Sequence, residues 1–364
     1  METIPMIDDK KENAGADRKV HLLNMEFEDL EKWVQSIGQP KFRGKQIFTW
    51  LYKDRVTDID AMTNLPQKFR EQLKELATIN TMREVTRQVS TDGTIKWLWE
   101  LYDGSTIETV LMRHDYGNSV CVSSQVGCRM GCTFCASTLG GLVRNLSGGE
   151  VVEQLLNVQR FLDGEVDAER VSSVVLMGSG EPMENYDEVM KFVDTINDQN
   201  GLKIGARHIT ISTSGLVPAI KRLADEKRQI TMAISLHATR DEIRSALMPI
   251  NRRWGIAELL DSCRYYIAQT GRRISFEYAL VGGQNDDLAH ARELAGLLAN
   301  IDCHVNLIPV NYVPERNYTR TPKDQIRAFV NELNRLGVNA TVRREKGHDI
   351  AAACGQLRAE QGRI

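Results

Sequence analysis

Cys128, Cys132 and Cys135 stand in the run Gly127-Cys128-Arg129-Met130-Gly131-Cys132-Thr133-Phe134-Cys135, a C-x₃-C-x₂-C triplet. Three thiolates from one short loop are one ligand too few for a closed four-coordinate zinc site or a fully ligated iron–sulfur cubane. On a [4Fe–4S] cluster the missing ligand leaves one iron free to bind another molecule. Two plainer readings compete: a zinc site completed by a distant ligand, and three structural cysteines buried in a core. Grouping three of the chain's seven cysteines at this spacing, in a loop rich in glycine, favours the cluster.

Composition narrows the setting. The 364 residues carry 46 Lys+Arg against 49 Asp+Glu, so 46 − 49 = −3, and 42% are hydrophobic. That is ordinary for a globular protein and too balanced for a bulk polycation. No apolar run approaches the roughly 18 residues a membrane span needs, and the polar N-terminus lacks a signal-peptide core. A cytoplasmic protein with no membrane association is expected. In a reducing compartment the cysteines then point to metal or redox chemistry and not to a disulfide framework. Cys121 lies ahead of the triplet and Cys354 near the C-terminus, while Cys263 and Cys303 fall in apolar segments as core residues.

The elements that must position the triplet follow from periodicity. Residues 1–18 are polar and read as a flexible arm. Residues 19–80 have helical spacing with breaks at Gly38-Gln39-Pro40 and Asn64-Leu65-Pro66, a small helical accessory module. Within it, 41–55 interleaves Lys41, Arg43, Lys45, Lys53 and Arg55 with Phe42, Phe48, Trp50 and Tyr52. An RNA-contacting surface and an amphipathic helix with buried aromatics explain that segment equally well. Over 81–118 the period changes to two, with turns at Asp92-Gly93 and Asp103-Gly104, which predicts an antiparallel β extension.

From 119 to 345 strands and helices alternate. The expected strands are Val120–Val126, Ser173–Met177, His208–Thr213, Thr231–Leu236, Arg273–Leu280 and His304–Pro309, with helices between and after them. Six such units predict an α/β fold, an open partial (β/α)₆ barrel whose reactive residues gather at the C-terminal ends of its strands. Residues 346–364 form a C-terminal segment carrying Cys354.

The strand ends carry further candidates. Met177-Gly178-Ser179-Gly180-Glu181-Pro182 ends the second strand, where Gly180 lets backbone approach a ligand and Glu181 can pair with an ammonium. Ser212 ends the third strand, Ser235-Leu236-His237 the fourth, and Asn311 follows the sixth. Each alone is equally a turn or a helix cap. Their recurrence at successive strand ends argues for a cofactor site. Cys354 by itself reads as an inert cysteine and Glu108 as one face of a hairpin.

The triplet resembles that of the radical S-adenosylmethionine (SAM) enzymes. The fuller set resembles the RlmN/Cfr family of RNA methyltransferases: Cys121-Val122-Ser123-Ser124-Gln125-Val126-Gly127-Cys128, the triplet, Gly180-Glu181-Pro182, Ser235-Leu236-His237-Ala238, Pro249-Ile250-Asn251 and Ala353-Cys354-Gly355-Gln356-Leu357. The likeness runs from Phe42 to Leu357, and Pro182 and Ser214 resemble the RlmN branch. Ser179, where many members carry Met, is a departure that leaves Gly180-Glu181-Pro182 intact.

The resemblance implies a radical SAM barrel holding one [4Fe–4S] cluster on Cys128, Cys132 and Cys135. It implies SAM bound through Gly180, Glu181, Ser212, Ser235, Leu236, His237 and Asn311, with two SAM molecules used per turnover. It implies methylation of C2 of an adenosine, in 23S rRNA at the peptidyl-transferase-centre adenosine 2503 and in some tRNAs at adenosine 37. Carbon 2 of adenine lies between two ring nitrogens and is a poor nucleophile, so ordinary methyl transfer to it fails. In the family's solution Cys354 takes a methyl from one SAM, and a 5′-deoxyadenosyl radical from the second removes a hydrogen from that methyl. The resulting carbon radical adds to C2. Glu108 is then the implied proton acceptor, and Cys121 the implied resolving thiol that releases RNA through a transient disulfide with Cys354. A flavodoxin-type reductase as electron donor and a monomeric state are expected. A Cfr-like C8 methyltransferase and a non-catalytic metal-bearing RNA-binding protein are the alternatives.

Overall fold

The computed structural model describes residues 19–167 and 169–357. The expected arm, 1–18, and the last residues of the C-terminal segment, 358–364, lie outside them.

β1 (Val20–His21), α1 (Phe27–Ser36), α2 (Phe42–Tyr52), α3 (Gln67–Leu76) and β2 (Ala77–Thr78) make the N-terminal module, with β1 and β2 paired in parallel. Burial divides the aromatics of α2. Phe48 and Tyr52 are buried against one another and Phe27, while Phe42 is 55% exposed beside the exposed Lys41 and Lys45. The helix thus has an apolar core face and a basic outer face. Gly44 sets the crossing of α1 and α2, because a Cβ there would lie 2.8 Å from Glu31 Cα. The module is fastened to the rest of the chain by buried Glu153, which accepts the backbone N–H groups of Thr81 and Met82 and the Thr81 hydroxyl.

β3 (Arg83–Val89), β4 (Ile95–Glu100) and β5 (Thr106–His114) form the expected antiparallel extension, and Gly93 and Gly104 take positive φ at the two turns. It is not a separate sheet. β5 pairs with β6 (Gly117–Cys121), and β6 is the first strand of the parallel part. After the small hairpin β7 (Gln125–Gly127) and β8 (Leu142–Asn145), the chain continues as α4 (Gly148–Asp163), β9 (Val171–Leu176), α5 (Tyr186–Asn197), β10 (Ile209–Thr213), α6 (Val217–Asp225) and β11 (Thr231–Ser235). Then come α7 (Asp241–Leu247), α8 (Ile256–Thr270), β12 (Ile274–Leu280), α9 (Leu288–Leu297), β13 (Cys303–Pro309), α10 (Lys323–Arg335) and β14 (Ala340–Val342).

One ten-stranded sheet results, in the order β14-β13-β12-β11-β10-β9-β6-β5-β4-β3. Because β14 and β3 are edge strands, the parallel part does not close on itself. β14 adds a parallel strand beyond the expected six units. The expected strand Val120–Val126 is two strands. After Cys121 the chain leaves the sheet, Ser123 Oγ donates to Glu108 O at 2.8 Å, and β7 pairs instead with β8, a strand the periodicity does not reveal. The short helix α7 is likewise absent from the sequence pattern.

Candidate active site

The β7–β8 hairpin presents the cysteine triplet. Gly127 closes it with φ +72°, and a Cβ there would lie 2.0 Å from Gly141 O, so no other residue fits. The Cys128 N–H donates to the same carbonyl at 2.9 Å. The loop folds back on itself, with Thr138 Oγ1 donating to Cys132 O and Cys135 O, and Thr133 N–H donates to Leu247 O at the end of α7. All three thiols line one cavity of about 960 Å³, its mouth included. Burial pushes each thiol up from its ordinary value, so thiolates there call for a cationic partner. Among the described residues no three His, Cys, Asp or Glu side chains converge on a single metal ion. The three cysteines on this cavity offer a donor set of three soft sulfurs, which suits an iron–sulfur core with one open iron.

The opposite wall is built from strand ends. Gly180 (φ +110°) lies so close to β7 that a Cβ would stand 2.7 Å from Gln125 N and Cβ. Gln125 Oε1 in turn accepts the Glu181 N–H at 2.8 Å. The Glu181 carboxylate is buried and accepts N–H groups from Ser214 (2.7 Å) and Met183 (3.0 Å). Burial raises it above the ordinary carboxylate value, partly offset by these donors. A buried carboxylate with a cavity in front of it is suited to an ammonium group. Ser212, Ser235, His237 and Asn311 line the same cavity, and Ser214 Oγ and Asn311 Oδ1 are buried without a hydrogen-bond partner among the described residues. Those two oxygens and the glycine-lined wall fit a polar, adenosine-sized ligand.

His237 has φ +56°, and its Nδ1 accepts the Ala279 N–H at 2.8 Å. Burial takes it down to about 3, so the ring is neutral and its Nε2 carries the proton. Leu236 is placed differently from the serines: its side chain is in the core and off the cavity wall, and its N–H donates to Glu277 O at 3.0 Å.

Cys354 comes to this cavity from the C-terminal segment. Its loop is held on three sides. Ala136 N–H donates to Gly355 O (2.7 Å), Ser137 Oγ to Leu357 O (2.6 Å), and Asn311 Nδ2 to Cys354 O (3.0 Å). Lys96 Nζ on β4 reaches Ala351 O at 3.3 Å. Behind Cys354 an adjoining cavity of about 520 Å³ is lined by Cys121, Met177, Asn311, Arg343 and Cys354 itself. Two thiols from distant parts of the chain thus share one cavity. Burial pushes the Cys121 thiol up to about 12. All seven cysteines are free thiols.

Glu108 lines neither cavity. It is buried on β5, ion-paired with Lys96 at 2.8 Å, and meets the Cys354 loop through that lysine. Arg343 turns inward. It lines both cavities, donates to Met177 Sδ at 3.3 Å and stands 3.7 Å from Glu277. The adjacent Cys354 is the main cause holding its guanidinium charged, ahead of Glu277 and Cys121. Glu277 and Gln125 are further site residues that sequence reasoning passes over. Gln125 lies inside the Cys121–Cys128 run, but Glu277 sits mid-strand with no local signal.

Residues 20–79 match the profile of the ribosomal RNA large subunit methyltransferase N-terminal domain, and residues 122–295 match the radical SAM superfamily. A protein of Staphylococcus saprophyticus described as a probable dual-specificity RNA methyltransferase RlmN is 60% identical over 346 residues, covering 95% of this chain and 94% of its own. Its counterpart in Staphylococcus carnosus is also 60% identical over the same coverage. The crystal structure of a radical SAM methyltransferase from Sphaerobacter thermophilus superposes with a TM-score of 0.91 at 45% identity, covering 93% of this chain and 99% of that one. The α/β radical SAM fold expected from the sequence is therefore the fold observed. Membership of that superfamily implies SAM and a [4Fe–4S] cluster, which the thiols and strand ends described above fit. The chain belongs to the RlmN family of radical SAM methyltransferases.

Proposed function

We propose that this protein methylates C2 of adenosine in RNA, in the peptidyl-transferase centre of 23S rRNA and beside the anticodon of a subset of tRNAs, with Cys354 as methyl carrier. The observation that carries this reading is the position of Cys354, which lines one cavity with the triplet and Glu181 and a second cavity with Cys121.

Cys128, Cys132 and Cys135 would hold the cluster, and Glu181, with Ser212, Ser235, His237 and Asn311 around it, would orient SAM by its ammonium and ribose. Together the two groups would supply the hydrogen-abstracting chemistry needed at an S-methyl group. Cys354 first acts as a sulfur nucleophile, forming its S–CH₃ bond as the sulfonium carbon–sulfur bond of one SAM breaks. Once activated, the Cys354 methylene bonds to C2 of the adenine, which tethers the RNA to the protein. One electron then passes from the adduct to a one-electron acceptor, a role the oxidised cluster would fill, and Glu108 would take the C2 proton, its link to the loop running through Lys96. Cys121, as thiolate, attacks Cys354 sulfur. The S–S bond forms as the sulfur–methylene bond breaks, and the methylene takes a proton to become the product methyl. Two electrons from a cellular thiol reductant restore both thiols. Arg343 lines both cavities, and its charge favours the anionic form of Cys121.

Exposed Lys41 and Lys45 with Phe42 on α2 are proposed to grip RNA phosphates and bases. A flavodoxin-type reductase, a monomeric state and a cytoplasmic setting complete the proposal. Among the described residues no helix is long and apolar enough to cross a membrane.

The experiment is mass spectrometry of nucleosides from rRNA and tRNA after anaerobic incubation with reconstituted protein, SAM and a reductant, beside Cys354→Ala. The expected product is 2-methyladenosine, absent with the variant. Appearance of 8-methyladenosine would establish the Cfr-like reading, and no methylated product with an intact cluster would favour the binding-protein reading.

A further inference from the structure

Arg244, on α7, is fully buried, and only one side chain of the described protein buried to that degree is larger. A buried guanidinium is costly unless paired and fully hydrogen-bonded. Its side-chain hydrogen-bond partners among the described residues are all neutral oxygens: Leu236 O (3.0 Å), Ser214 O (2.7 Å), Ser235 O (3.0 Å) and Asn251 Oδ1 (2.9 Å). Asp241 is reached only through Asn251, whose Nδ2 donates to Asp241 Oδ1 at 2.9 Å. Gly215, at φ +110°, makes room for the guanidinium, because a Cβ there would lie 3.3 Å from Arg244 Nη2.

Two of the carbonyls it grips belong to Ser214 and Ser235, which line the SAM cavity at the ends of neighbouring strands. The other end of α7 is tied to the triplet, because Leu247 O accepts the Thr133 N–H at 2.9 Å. Leu247 and Met248, which follow Arg244 by one helical turn, pack with Cys128 and Cys132 in one buried cluster. A guanidinium stays cationic at neutral pH, and here it lies in a region where charges are poorly screened.

We propose that Arg244 is a positioning residue that ties together the strand ends of the SAM cavity and sets a buried positive charge behind Cys132, easing one-electron reduction of a cluster held by Cys128, Cys132 and Cys135. A three-thiolate [4Fe–4S] cluster carries one net negative charge oxidised and two reduced. The electron comes from an external reductant, with no bond made or broken, so a fixed cation nearby favours the reduced form. The inference rests on the triplet holding a cluster and is independent of which RNA atom is methylated.

The test is an anaerobic redox titration with titanium(III) citrate, followed by electron paramagnetic resonance, on reconstituted protein without RNA. Wild type is compared with Arg244→Gln, Arg244→Lys and Asp241→Asn at matched iron content. Arg244→Gln is expected to make reduction about ten-fold less favourable, a midpoint lower by about 59 mV. Arg244→Lys keeps the charge and should stay within about two-fold, while both Arg244 variants bind SAM about ten-fold more weakly because the carbonyl grip is lost. Asp241→Asn retains Arg244 and removes the carboxylate beyond Asn251, so its midpoint should move upward. A midpoint for Arg244→Gln within two-fold of wild type would overturn the proposal. Should that variant fail to hold its cluster, an unchanged or lowered midpoint in Asp241→Asn overturns it instead. Absence of any cluster signal in wild type would fault the cluster reading, a different failure.

Discussion

Replacing Glu181 by Gln tests the proposed SAM site most sharply, because the carboxylate is nearly isosteric with the amide and only its charge is removed. Oε2 already accepts Ser214 N–H and Oε1 accepts Met183 N–H, and the remaining lone pairs face the cavity. A charge-assisted hydrogen bond to an ammonium contributes about 1.5–3 kcal/mol, a factor of roughly 10 to 150 in affinity. The dissociation constant of SAM should rise by that factor in Glu181→Gln, measured by calorimetry on reconstituted protein. 5′-Methylthioadenosine, which lacks the ammonium and carboxylate, should bind wild type and variant alike. Equal weakening of both ligands would refute the reasoning, since it would mean that the carboxylate only shapes the pocket. So would unchanged SAM binding. The pH response gives an independent sign. Burial raises Glu181 above its ordinary 4.5, so its contribution to the SAM-free protein is fully present below 4.5 and is lost as pH rises through the folded value. Glu181→Gln should remove that part of the pH dependence of urea unfolding.

The other predictions are direct. Cys121→Ala should leave methyl loading of Cys354 intact yet stall release, leaving a protein–RNA adduct visible on a denaturing gel; free RNA product in normal yield would dismiss the resolving role. Gly180→Ala forces an L residue to φ +110° with its Cβ 2.7 Å from Gln125 backbone. It should lose more than about 2 kcal/mol in a urea melt together with SAM binding, and a stability equal to wild type would contradict the close approach. His237 is held neutral, down to about 3 from its ordinary 6.5. Its contribution is therefore present above pH 6.5 and is lost as pH falls toward the folded value. Wild type should lose about 2 kcal/mol through this group between pH 6.5 and 5, and His237→Asn, which tolerates the left-handed backbone, should lose less over that window.

What the chain determined locally was readable without coordinates. The triplet is a property of one short loop, so its ligand count follows from spacing alone. The turns at Asp92-Gly93 and Asp103-Gly104 and the alternation of strands and helices obey short-range periodicity, which made the barrel and the strand-end positions of Glu181, Ser212, Ser235 and Asn311 legible. The family likeness supplied the joint significance of Cys121 and Cys354, which no local pattern connects. Tertiary structure alone decided the rest. Val120–Val126 splits because Gln125–Gly127 finds a partner in Leu142–Asn145, a pairing set by the return of the cysteine loop and not by the strand's own residues. Arg343 turns inward where β13, β14 and the C-terminal loop meet, lining the cavities with Cys121 and Cys354, and Leu236 goes to the core at the end of β11, its N–H on Glu277 O of β12. Nothing in the sequence singles out Arg244, which lies on a helix that the periodicity does not reveal. Only the convergence of three strand-end carbonyls and Asn251 from different parts of the chain makes its burial tolerable, and that convergence is a property of the fold.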